Sequence, residues 1–127
     1  MFKRNGVYFV LPGTTCCACR GGSSVYVFTA AHPLQPFVFR GEVAANTSQS
    51  FDAHSPYNWV TNAQASAVFT VGHPPEETYV WLGNQWTTSQ EPGRPRNHDL
   101  LYFWPIQFRS DGNISHFEYR ETVEVQL

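Results

Sequence analysis

Cleavage of a bond by acid–base chemistry needs a proton donor and an acceptor held on either side of it. Asp52, Glu76, Glu77, Glu91, Asp111, Glu118, Glu121 and Glu124 lie in turns or alternate along strand-like runs, as solvated carboxylates do. Asp99 differs, because it sits between His98 and an aromatic run. His98 and Asp99 are candidate ligand-contact residues. The competing role for Asp99 is to bond backbone amides ahead of a strand, which is the commoner use of a loop aspartate. Cys16, Cys17 and Cys19 crowd one loop, with no second pair at metal-ligand spacing. No metal or other cofactor is expected. Oxidation would join Cys16 to Cys17 or to Cys19; all three as free thiols is the other reading.

Flat ligands need flat rings, and aromatics make up 16% of the chain, while charged residues make up only 14%. Trp81 and Trp104 lie in the middle of strand-like runs, where rings are usually core. Tyr57 and Trp59 sit in a polar connection, where packing is less automatic, and are the better candidates to stack on a sugar ring. A flat ligand such a surface could stack is a ring of an oligosaccharide or polysaccharide. A net charge of −2 without a basic block argues against nucleic acid. The apolar runs are too short to cross a membrane as helices.

These residues need elements to hold them. The 127 residues suit one β unit with a modest core. Val7 to Leu11, Val25 to Thr29 and Phe37 to Arg40 read as strands with tight connections, so residues 1–45 form one antiparallel meander. Residues 46–65 are a polar connection. Residues 66–127 form a second meander, with strands at Ala67 to Val71, Thr78 to Leu82 and Leu100 to Phe108. Ser110-Asp-Gly-Asn113 is a hairpin turn from which residues 114–119 return, and Val123, Val125 and Leu127 suggest a last strand. No window keeps a helical period. The expected class is all-β: roughly two propeller blades in series, or a β-sandwich.

Four motifs, in order, carry a resemblance. Phe2-Lys-Arg-Asn-Gly-Val-Tyr-Phe-Val10 resembles the K-x-x-G-x-Y-Y strand of glycoside hydrolase family 43. Thr15-Cys-Cys-Ala-Cys19, Ser24-Val-Tyr-Val-Phe-Thr-Ala30 and Pro33-Leu-Gln-Pro-Phe37 resemble a CCxC…VYTA…PLGPF series in its galactan 1,3-β-galactosidase-like branch, with Gln35 for Gly. Tyr79-Val-Trp-Leu-Gly-Asn-Gln-Trp86 is similar to Y-x-W-x-GDRW, with Asn84 and Gln85 replacing the charged pair. Asn97-His-Asp-Leu-Leu-Tyr-Phe-Trp-Pro-Ile-Gln-Phe108, with Asp111-Gly-Asn-Ile114, is similar to GHDFQYWxPLxF…DGxI.

The resemblance implies a five-bladed β-propeller that hydrolyses galactan- or arabinan-type glycans. This chain would be about its last two blades. In that family the base and the pKa-tuning acid come from earlier blades, and the general acid lies just before the strand that here begins at Phe2. The expectation is a truncated chain that does not cleave glycans alone. Gln64 matches a family position facing the active site, where an amide can position water or a sugar hydroxyl. Asn46-Thr-Ser48 and Asn113-Ile-Ser115 fit the N-glycosylation pattern and agree with secretion of the full-length form, although no signal peptide opens this chain. Exposed sheet edges are expected to favour self-association.

Overall fold

The computed structural model describes residues 1–14, 22–48, 59–86 and 100–125. Among them, seven strands and no helix form two antiparallel sheets. The first contains β1 (Phe2–Arg4), β2 (Val7–Val10), β3 (Tyr26–Ala30) and β4 (Val38–Glu42), in the order β1-β2-β3-β4. The second contains β5 (Gln64–Val71), β6 (Thr78–Gln85) and β7 (Leu100–Pro105), in the order β5-β6-β7. Each sheet uses consecutive strands, and none alternates between sheets. No helix among the described residues is long and apolar enough to cross a membrane.

Local chemistry explains the boundaries. Asn5 and Gly6 both take positive φ, 48° and 81°, as a tight hairpin turn demands. They join β1 to β2, so the Asn-Gly pair closes a hairpin rather than merely opening β2. In the first sheet a bulge at Arg40 shifts the register between Val27 and Phe28. It lets the Arg40 guanidinium reach the Thr29 hydroxyl at 2.8 Å. The second sheet carries a bulge at Ser66.

Period-two alternation gives each sheet a buried face. Phe9, Val27 and Thr29 fill that face of the first sheet, and Tyr79, Trp81, Tyr102 and Trp104 that of the second. The two faces share one core. Phe2 joins them, with its ring 5.1 Å from Phe9 and 4.9 Å from Tyr79. Phe117 closes the core against Trp81 at 5.4 Å and Trp104 at 5.8 Å. Gly83 is required here: a Cβ would collide with the Trp81 ring and, at 2.7 Å, with the Ala63 methyl.

The C-terminal stretch departs from expectation. Phe108 and Ile114 share a single bridge around the 109–113 turn, where Gly112 has φ 81°. Residues 115–125 form no strand. The chain breaks off its ladder because Phe117 turns into the core and gives its amide to the Val43 carbonyl at 2.6 Å. The segment is thereby a strap crossing both sheets. Residues 126–127 lie outside the described residues.

Candidate functional site

Glu42 fixes the corner where the chain leaves β4. Its carboxylate accepts the amides of Val25 (3.1 Å), Ala44 (2.7 Å) and Ala45 (2.6 Å). Ala45 then bridges Trp59, and the Val60 amide bonds the Ala44 carbonyl at 2.8 Å. The start and end of the 46–58 excursion are therefore pinned side by side. Asn62 takes a left-handed φ of 47° and turns the chain into β5. Asn46 accepts the Ser48 amide and hydroxyl, at 3.1 Å and 2.6 Å, in an Asx turn.

A second element completes the site. The Tyr102 hydroxyl donates to the Glu118 carbonyl at 3.2 Å and accepts the Arg120 amide at 3.0 Å. These bonds bracket Tyr119 on the strap. Its ring stacks on Tyr102 at 5.8 Å with an interplanar angle of 15°. Burial pushes the Tyr102 phenol up, so it stays protonated and can donate. Tyr119 itself remains 56% exposed.

Together these elements form an open depression of about 310 Å³ lined by Asn46, Trp59, Val60, Asn62 and Tyr119. It combines two rings with two carboxamides, of which the Asn46 oxygen already holds the Ser48 amide and hydroxyl. Of the residues proposed from the sequence, Trp59 lines it. Gln64 does not; it opens β5 opposite Asn84, beside the Ser66 bulge. Tyr57, His98, Asp99, Cys16, Cys17 and Cys19 lie outside the described residues. Tyr119 was missed, because it lies in a stretch that reads as a plain hairpin return.

A larger groove of about 630 Å³ lies on the other side of the strap, with Trp104, Gln107, His116, Glu118, Arg120 and Glu124 among its walls. Both carboxylates there are exposed. Arg120 binds Glu118 at 2.8 Å and lies 5.8 Å from the centre of the Trp104 ring. Asp111 and Glu77 are engaged as well. Asp111 accepts the Asn113 amide at 2.9 Å, and the Asn113 bonds hold it below the usual carboxylate range. Glu77 accepts the Tyr79 hydroxyl. No cluster of three or more His, Cys, Asp or Glu suited to a metal occurs among the described residues.

Comparison with known proteins adds no relative: no family model, no curated protein and no solved structure matches this chain.

Proposed function

We propose that this chain is a carbohydrate-binding β unit of the family 43 glycosidase type, taking galactose- or arabinose-containing glycans and not cleaving them alone. The observation that carries the reading is the convergence of Trp59 and Tyr119 with Asn46 and Asn62 on one open depression. A sugar ring offers an apolar C–H face to an aromatic ring and hydroxyls to carboxamides. One ring comes from the middle of the chain and the other from near its C-terminal end, yet each is held by backbone bonds on both sides. Such preorganisation lowers the ordering cost of binding.

One further feature supports the family reading over a sandwich, and another supports the absence of cleavage. Each sheet is a sequential meander and no strand passes from one sheet to the other, as in blades. Glu42, Glu77, Asp111 and Glu118 bond backbone amides, a hydroxyl or an arginine, which suits support rather than proton transfer to a glycosidic oxygen. In this proposal the full-length form acts outside the cell.

The test is titration of the unglycosylated chain with galacto- and arabino-oligosaccharides, followed by tryptophan fluorescence and by release of reducing ends. Unglycosylated protein is needed because Asn46, on the depression wall, begins a glycosylation triplet. Saturable binding without sugar release is expected. Trp59→Ala and Tyr119→Ala should each weaken it by about tenfold or more, as loss of a ring anchor does. Binding that survives both substitutions would refute the site. Sustained hydrolysis would refute the non-catalytic assignment.

A further inference from the structure

Two sheets have four outer edges, and three of them are guarded. β1 is three residues long and carries Lys3 and Arg4. β4 carries Arg40 and Glu42 and is kinked by its bulge. β7 ends in Pro105, which has no amide to offer a partner strand. Charges, bulges, prolines and covering segments are the devices that stop an edge from pairing with another chain.

Among the described residues, β5 has only one of them. It runs eight residues, Gln-Ala-Ser-Ala-Val-Phe-Thr-Val, without a charge, a proline or a glycine. The Ser66 bulge lies near its start and leaves Ala67–Val71 in unbroken register with β6. Ala67, Phe69 and Thr70 are exposed. The apolar character continues past the edge onto the outward face. Phe69, 39% exposed, meets Phe103 edge-to-face at 6.2 Å, and Leu101 lies two residues from Phe103 along β7.

We propose that β5 pairs antiparallel with β5 of a second copy, which makes one continuous six-stranded sheet across a twofold axis. A second copy fits this edge for two reasons. The strand has no charge to repel its own image, and a twofold brings the two Phe69-centred patches to the same face of the joined sheet. The closed pair leaves no free β5, so the assembly stops at two. This inference is independent of the sugar-binding reading.

Light scattering and sedimentation of the full chain across a micromolar concentration series provide the test. A mass of two copies at high concentration is expected, with amide hydrogen exchange in 67–71 slowing as dimer forms. Ala67→Lys places a charge on the edge and should raise the dissociation constant by about tenfold or more while the cooperative melt is kept. Phe39→Ser, on the outward face of the first sheet, should leave the dimer unchanged. The proposal is overturned by a chain that stays monomeric, by an open-ended series of larger species, or by a dimer that dissociates with Phe39→Ser and not with Ala67→Lys. If Ala67→Lys does not fold, exchange in the wild-type chain decides alone: protection in 67–71 that is independent of concentration overturns it.

Discussion

The core and the depression use the same residue types in opposite ways. In the core Trp81 is 1% exposed and has Phe117 against one edge and the Gly83 backbone under its ring. In the depression Trp59 is half-buried and Tyr119 mostly exposed, each held by its backbone while part of the ring faces solvent. An aromatic ring is thus a structural part when packing fixes its side chain. It is available to a ligand when hydrogen bonds fix its main chain instead. The Tyr102–Tyr119 stack is the junction: one ring is buried, and the next is carried on top of it.

The sharpest break of this contrast is Trp81→Ala. A cavity of that size should cost about 3–5 kcal/mol, read as a large drop in the urea midpoint. Gly83→Ala comes next, because the added methyl meets ring and backbone-anchored neighbours. Overpacking of this kind should cost about 1–3 kcal/mol, in the same measurement. If Gly83→Ala is neutral, the Trp81 ring is looser than described.

Tyr79 tests the core by pH. Burial, then its bond to Glu77, pushes its phenol up to about 12 from an ordinary 10.0. The raised value means that the fold favours the protonated form. This stabilisation is fully present below pH 10 and is lost as pH rises from there through about 12. Denaturation midpoints should fall across that window, and Tyr79→Phe should flatten the fall. Below it, the substitution should cost about 1 kcal/mol for the one hydroxyl proton, which the Glu77 carboxylate and the Lys3 carbonyl share as acceptors. Smallest of all should be the stability change for Tyr119→Ala, within about 1 kcal/mol, read by thermal melting. A larger loss would make the exposed ring structural and remove the contrast.

Much of the β pattern was legible because alternation and punctuation agree. Strands β2 to β7 overlap the runs that read as strands, but β4 and β6 continue through Gly41 and Gly83, β5 opens three residues earlier at Gln64 and β7 stops at Pro105; Trp81 and Trp104 are core as mid-strand rings should be. β1 escaped notice because three residues, two of them cationic, carry no hydrophobic period. Residues 115–119 and the run with Val123 and Val125 read as strands because apolar residues alternate there too, yet neither is one. Their alternation instead serves a strap with Phe117 buried on one side and a groove on the other. For the site, a ring in a polar connection drew attention to Trp59. Tyr119 depends on a contact seventeen residues away, between Tyr102 and the strap, which no local pattern encodes. Glu42 was invisible for a related reason: a lone glutamate at a strand end looks solvated until the amides around it are seen.

That glutamate has a consequence for reuse of this scaffold. With three amides converging on one carboxylate beside Gly41, whose φ is 135°, the corner after β4 is closed on itself. The excursion between Asn46 and Trp59 is in effect a cartridge with two latches, the Glu42 carboxylate and the Ala45–Trp59 bridge. Its contents could be lengthened, shortened or exchanged while the sheets on either side keep their register, provided both latches travel with it.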